Sequence, residues 1–366
     1  MAVTDLVTTW GFVTYQGSGY PLLDATIVET INRTTLMQNY KDYASKLDFT
    51  MEKLLNPSQT FTAKAGPKAM ENVLETGNAK LAELVFTPKK GIDLVEVGNK
   101  YSRSDFFTKW ALTAKNIAGA NDSIQAELAL SASEIQELTV AYDLRYAEEL
   151  LKNLTLGFTI TGWNGPGWAT PKGKALFDTH NYGVPWSAIT WTFTNFTNGA
   201  LTFTSSSADI LAGTTRLQTL INQLKQARDE NGKFVPQWDY KLFVSRQNSV
   251  FWKQVLNDNS NFSGQGSNAN QLNQFNFKWN IVELVVLDLL GTPWYDGTAI
   301  GTVNMIFVSN STGLKQARAF KNFNLQPLDI QTWKDMWTRV LNTDARAKFG
   351  SGHYWAELYI AGSTNA

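Results

Sequence analysis

The sequence has no cysteine and two histidines, His180 and His353. Disulfides, thiol nucleophiles, iron–sulfur clusters and zinc fingers are therefore excluded for want of ligands. Net charge is missing as well, with Lys+Arg 32 set against Asp+Glu 32. Dedicated DNA and RNA readers draw most of their affinity from a basic surface that releases counterions, so this balance argues against one. Long apolar runs are also absent: the longest, near 281–290, is broken by Glu283 and Asp288 and falls far short of the ~20 residues of a membrane span. No basic region precedes an apolar stretch in residues 1–6, so no secretory signal is expected and the chain is expected in a cytosol. Charge of either sign is scarce, at 17% of residues against about 25% in typical soluble domains. Much of the surface must be covered by neutral polar groups or by other copies of the chain.

What is present supports a large folded chain. A hydrophobic share of 43% and an aromatic share of 13% over 366 residues suffice for a real core, and the length suggests roughly two domains. Residues 1–77 show no sustained period, and Gly17-Ser-Gly19-Tyr-Pro21 and Asn56-Pro57 punctuate them. They read as an extended arm with local helices, stable only when it lies on something else. Leu81-Ala-Glu-Leu-Val-Phe-Thr87 and Ile92-Asp-Leu-Val-Glu-Val97 are β-prone runs on either side of Pro88-Lys-Lys-Gly91, which predicts a long hairpin with a charged tip. Ser131-Ala-Ser-Glu134 is a capping-box pattern, after which Ile135, Leu138, Tyr142, Tyr146, Leu150 and Leu154 recur at spacings of three and four. One amphipathic helix from 131 to about 153 follows, with Asp143, Arg145 and Glu149 off its apolar stripe.

Residues 156–203, rich in Trp, Thr, Gly and Pro, fit strands and loops. Ser206 to Asp209 is a second capping signal, for a helix ending near Arg228, and Asn231-Gly232 turns the chain. Lys241-Leu-Phe-Val244 reads as a buried strand, Ser245 as an N-cap and 247–256 as a helix, an order found in α/β and α+β units. A loop rich in Asn, Ser, Gly and Gln at 258–276 precedes strands at 279–289 and 303–309, and a further strand is expected around 354–360. The sequence contains no internal repeat.

Few motifs carry chemistry. Gly264-Gln-Gly266-Ser-Asn-Ala269 has the spacing of a dinucleotide fingerprint, but both flanks are Asn and Gln rather than a strand and a helix, so it reads as a loop. Asp178-Thr-His180 could seed an acid–base pair, yet no serine elbow completes a triad, and a surface or capping histidine is expected. The same holds for His353. Asp229 and Glu230 read as the solvated cap of a turn. The 13 tryptophans are spread along the chain without a local cluster, which favours packing and interface roles over a sugar-binding face. Lys89 and Lys90 at the hairpin tip have two readings, a clamp on a neighbouring molecule or a charged tip that keeps the hairpin soluble.

The order of parts is an arm, a hairpin, one long helix, a Gly- and Trp-rich strand region, a helix–strand–helix unit and a final strand. It resembles the major capsid proteins of tailed bacteriophages, particularly the Mu-like major head subunit family. The residues that carry the resemblance are Gly173-Lys-Ala-Leu-Phe-Asp-Thr-His180, Asn231-Gly-Lys-Phe-Val235, Lys241-Leu-Phe-Val-Ser245, Asn280-Ile-Val-Glu-Leu-Val-Val286, Trp294-Tyr295 and Phe349-Gly-Ser-Gly-His-Tyr-Trp355. Trp163, Trp168, Trp186 and Trp191 depart from that family's pattern.

The resemblance implies an α+β fold of the tailed-phage and herpesvirus major-capsid type. On that mapping residues 1–77 are an N-terminal arm and 78–112 an extended β-hairpin loop. Residues 113–207 and 311–366 form a peripheral domain with a spine helix at 131–154, and 208–310 form an axial domain. It further implies a non-enzymatic protein without cofactors or metals that assembles with itself as pentamers and hexamers around double-stranded DNA without sequence-specific binding. A separate scaffolding protein and a portal are the implied partners, with assembly in the host bacterial cytoplasm and residence in the virion. Lys89, Lys90, Gly91, Ile92, Trp10 and Tyr20 are the candidates for inter-subunit contact. Two alternatives remain open: a nanocompartment shell of the same fold around a cargo enzyme, and a carbohydrate-binding protein.

Overall fold

The computed structural model describes residues 5–7, 12–14, 21–22, 50–53, 58–61, 90–104, 122–159, 174–183, 190–229, 232–237, 239–257, 281–294, 296–317, 319–335, 337, 340–353 and 356–364. The strands are β1 (Asp5–Val7), β2 (Phe12–Thr14), β3 (Pro21–Leu22), β4 (Thr50–Lys53), β5 (Ser58–Phe61), β6 (Lys90–Asp93), β7 (Val95–Ser104), β8 (Thr179–Gly183), β9 (Thr190–Thr194), β10 (Phe196–Asn198), β11 (Tyr240–Ser245), β12 (Ile281–Leu287), β13 (Ile306–Asn310), β14 (Phe320–Lys334), β15 (Val340–His353) and β16 (Ile360–Thr364). The helices are α1 (Asp122–Thr155), α2 (Ser207–Lys225), α3 (Ser249–Asn257) and α4 (Ser311–Ala317). The chain divides into two compact units, one of Met1–Ala44, Val95–Ala147 and Asn324–Phe349, the other of Ser45–Leu94, Glu148–Phe323 and Gly350–Ala366.

In the first unit β7 pairs antiparallel with β15 over its full length, from Ser104 opposite Val340 to Val95 opposite Phe349. β15 in turn neighbours β14. Alternate residues of β15, Ala345, Ala347 and Phe349, are buried, as the two-residue period of a strand requires when one face is covered. The cover is α1. Tyr146 and Tyr142 set their rings against Phe349 at centroid distances of 5.3 and 6.0 Å, both edge-on, the geometry that ring quadrupoles favour. Polar groups fix the register of helix on sheet. Arg103 Nε of β7 lies 2.6 Å from Glu134 Oε1, Thr343 Oγ1 of β15 donates to Glu134 Oε2 at 3.1 Å, and Tyr101 Oη donates to Glu137 Oε2 at 2.7 Å.

These contacts correct the expected spine helix. It begins at Asp122 rather than Ser131 and has 34 residues, so the capping-box residues are internal. Glu134 carries out no capping because its carboxylate is taken by Arg103 and Thr343. The apolar stripe also shifts: Leu138, Leu150 and Leu154 are buried, but Ile135 is exposed and Glu149, expected off the stripe, is buried.

One strand of the predicted hairpin has a partner outside it. Lys90–Asp93 is a strand rather than a tip, and it pairs with Ser58–Phe61, Lys90 opposite Phe61 and Asp93 opposite Ser58. The expected return strand 81–87 lies outside the described residues. A turn signal is local, so Pro88-Lys-Lys-Gly91 does not reveal that Lys90 and Gly91 pair with Phe61 and Thr60.

The second unit is built on a five-stranded sheet in the order β10-β16-β13-β11-β12. β11 runs parallel to β12 and antiparallel to β13. β16 runs antiparallel to β13 and parallel to β10. Leu217, Leu220, Ile221 and Leu224 of α2 and Phe251, Trp252 and Val255 of α3 pack with Leu242, Val244, Ile306, Val308 and Ala361 of the sheet into the main core. Each leucine, isoleucine, valine or phenylalanine among them stabilises the fold by about 1.5–3 kcal/mol on burial. The expected start of α2 is correct: Ser206 Oγ accepts from the Asp209 N–H at 3.1 Å and donates to Asp209 Oδ2 at 2.8 Å. Hydrogen bonds from the Thr204 hydroxyl and then from the Ser206 hydroxyl hold the Asp209 carboxyl below its ordinary range. α2 ends at Lys225, ahead of the expected Arg228, which instead bridges to Phe234.

The turn at Gly232 forms, with φ +77°, a left-handed conformation that glycine adopts without a Cβ penalty. α3 starts at Ser249, two residues later than expected, because Ser245 Oγ accepts from the Asn248 N–H at 3.2 Å and closes a turn first. The sheet takes strands from both sides of the expected 208–310 span. In particular, the strand expected around 354–360 begins only at Ile360 among the described residues. A short 3-10 turn, Ala356–Leu358, comes before this strand, β16.

Leu220→Ala is expected to lower the unfolding free energy by about 2–5 kcal/mol, read from urea denaturation followed by tryptophan fluorescence. Burial, the largest influence on Glu134, holds its carboxyl above the ordinary range against the opposing pull of Arg103. A carboxyl raised in the folded state adds stability that is full below its unfolded value and is lost as pH rises through the folded value. The native protein should therefore gain stability relative to Glu134→Gln as pH falls from neutral toward the ordinary glutamate range. A constant difference between their urea midpoints across that range would contradict this.

Candidate inter-subunit surfaces

Of the six residues singled out for contact between copies, Lys89, Trp10 and Tyr20 lie outside the described residues. Lys90, Gly91 and Ile92 are brought together in β6, opposite Phe61, Thr60 and Gln59. Among the described strands β5 and β6 pair with each other alone.

Sequence reasoning missed the most exposed aromatic side chain among the described residues. Trp337 has 96% of its surface exposed. It stands between β14 and β15 in sequence, and two hydrogen bonds form beside it. The Asp335 N–H donates to Val340 O at 2.8 Å and the Trp337 N–H donates to Asp335 Oδ1 at 2.9 Å, an Asx turn that fixes the backbone under the ring. Nearby in sequence, the exposed Trp333 ring has Lys100 Nζ 5.1 Å from its centroid. The signal available in the sequence was Asp335 two residues ahead of a tryptophan between two strand-forming runs.

The second unit exposes Phe234 beside the Gly232 turn, with the Arg228 guanidinium 4.2 Å from its ring centroid. It also exposes Val250 on α3 and Val282 on β12, and β12 is an edge strand of its sheet. Edge strands that stay unpaired are commonly guarded by charge. Here Glu283 stands next to Val282 and pairs with Lys241 at 3.3 Å.

The candidate chemical groups take structural positions. His180, expected at the surface or as a cap, is buried in β8, with Nε2 3.1 Å from Leu176 O. It is buried because β8 pairs with β9, which sets His180 opposite Phe193. Asp178 Oδ1 accepts from the Thr179 N–H at 2.6 Å, and Asp229 Oδ1 accepts from the Lys233 N–H at 3.0 Å, as expected of a turn cap. His353 lies at the end of β15, and Gly264–Ala269 falls outside the described residues. Among the described residues no group of three or more Asp, Glu, Cys or His is placed to hold a metal ion, and no helix is long and apolar enough to cross a membrane.

No family model matches the chain, and no curated protein matches it. Among solved structures, the chain is similar to one from Mycobacterium phage Patience, with 11% identity and a TM-score of 0.50 over 97% of this chain and 91% of that one. It is also similar to the capsid of Myoviridae phage XM1, with 12% identity and a TM-score of 0.47 over 88% and 91%. The virus-like particle from Pyrococcus furiosus gives 9% identity and a TM-score of 0.41 over 90% and 98%. At 11% identity the likeness to the phage Patience structure is one of fold.

Trp337→Ala is expected to leave stability within about 0.5 kcal/mol of the native value while weakening association between copies. Light scattering of the two proteins at matched concentration measures this, and equal scattering would remove Trp337 from the contact surface.

Proposed function

We propose that the chain is a structural shell subunit, the major capsid protein of a bacteriophage head. The observation that supports this most is the likeness of fold to the phage Patience structure over 97% of the chain. Within that reading we assign it to the Mu-like major head subunits, on the motifs from Gly173 to Trp355 quoted above. Residues 1–77 act as the arm and 78–112 as the extended loop, with Lys89, Lys90, Gly91, Ile92, Trp10 and Tyr20 meeting neighbouring copies. α1 acts as the spine of the peripheral domain, and the axial domain is built on residues 208–310, its sheet completed by β10 and β16 from outside that span. The subunits associate as pentamers and hexamers with the help of a separate scaffolding protein and a portal, in the bacterial host's cytoplasm, and end in the virion.

The physics suits a container. A closed shell is made of identical chains meeting through repeated interfaces. Each interface can be modest, because many act at once and opening one does not release a subunit. A net charge of zero lets the wall surround packed DNA without the strong, salt-sensitive phosphate attraction that would hinder its entry and exit.

The test is negative-stain electron microscopy of the chain expressed alone and with the scaffolding protein of its source. Closed particles of uniform diameter are expected. Monomers under both conditions would refute the reading, and particles filled with one dominant enzyme rather than DNA would turn it into a cargo compartment.

A further inference from the structure

We propose that β16 is a closing strand: the space between β10 and β13 is a docking slot for one extended segment, filled in the native protein by residues 360–364 of the same chain. The register supports this on both sides. Ile306 to Ser309 of β13 lie opposite Ser363 to Ile360, and Phe196 to Asn198 of β10 lie opposite Gly362 to Thr364. With β16 removed, the order of the described strands leaves β13, β11 and β12 together and β10 without a ladder among them.

The slot is narrow and selective. Ile360 and Ala361 are buried, and Ala361 belongs to the main core. A Cβ at Gly362 would stand 2.7 Å from Phe158 Cζ and 2.9 Å from Phe177 Cδ1, so a larger side chain there meets two aromatic rings. Polar groups hold the segment in place. Asn195 Nδ2 donates to Ile360 O at 3.0 Å and to Leu176 O at 2.9 Å. The Gly362 N–H donates to Asn195 O at 2.9 Å. Arg216 donates through Nη1 to Ser363 Oγ and through Nη2 to Gly199 O at 3.1 Å.

Sequence order turns this slot into a checkpoint. β16 follows every other strand of its sheet, and Asn324–Phe349, which belongs to the other compact unit, comes between β13 and β16. The five-stranded sheet therefore cannot be completed before that segment has been made. If the shell reading holds, a chain without β16 presents an open sheet and is kept out of the shell.

The test uses a chain ending at Trp355 and a synthetic peptide of residues 356–366, with hydrogen exchange read at the amides of Phe307 and Val308 in β13, which face Gly362 and Ala361. Slow exchange is expected to be lost in the shortened chain and restored by saturating peptide, and a peptide carrying Gly362→Val is expected to fail. Slow exchange without any peptide, or equal rescue by the Gly362→Val peptide, would overturn the proposal. Should the shortened chain precipitate, full-length Gly362→Val is read instead. Loss of protection in β10 and β13 with retention in β7 and β15 supports the closing strand, and unchanged protection throughout refutes it. Particle formation is scored separately, so a closed sheet without particles counts against the shell reading and not against the closing strand.

Discussion

The constraint on which the second unit rests is that its sheet is completed from far away in sequence. β10 and β16 lie side by side, although residues 196–198 and 362–364 are separated by nearly all of the intervening fold. Bringing such distant segments together has a loop-closure cost that grows only slowly with length. The burial of Ile360 and Ala361 and the hydrogen bonds of Asn195 offset that cost locally. Once β16 is seated, the packing of α2 and α3 on the sheet has a continuous apolar floor.

The first unit solves the same problem with polar chemistry. A long helix on a sheet needs something to set its register, because apolar contacts alone permit sliding. Arg103, Glu134 and Thr343 supply it from three different elements. Removing one partner of such a buried set costs more than the set contributes as a whole, since a charge is then left without its counterpart. The aromatic contacts of Tyr142 and Tyr146 with Phe349 lie farther along the same helix and add area rather than direction.

What could be read from sequence was whatever is decided within a few residues. Ser206 and Asp209 announce α2, Gly232 announces its turn, and the run at 241–244 announces β11, because capping, left-handed backbone and strand propensity are local effects. What could not be read was pairing at a distance. The turn residues at 88–91 suggested a return strand next door, and the partner of β6 is β5. Ser131-Ala-Ser-Glu134 looked like a helix start, and its glutamate serves a buried arginine instead. Trp337 stayed hidden among the 13 tryptophans, because only the strands on either side reveal that it stands on a fixed turn with its ring in solvent. The candidate contacts Lys90, Gly91 and Ile92 were found as neighbours, but as parts of a strand rather than of a tip.

The low charge and the exposed aromatic side chains lead to the same expectation, a folded subunit whose surface is finished by other copies of itself. Sedimentation velocity over a range of concentrations tests that most directly. The account predicts a slow boundary of single subunits that gives way, as concentration rises, to a discrete fast boundary of closed assemblies with little material between. One slow boundary of monomer mass at every concentration, with and without scaffold, would contradict it.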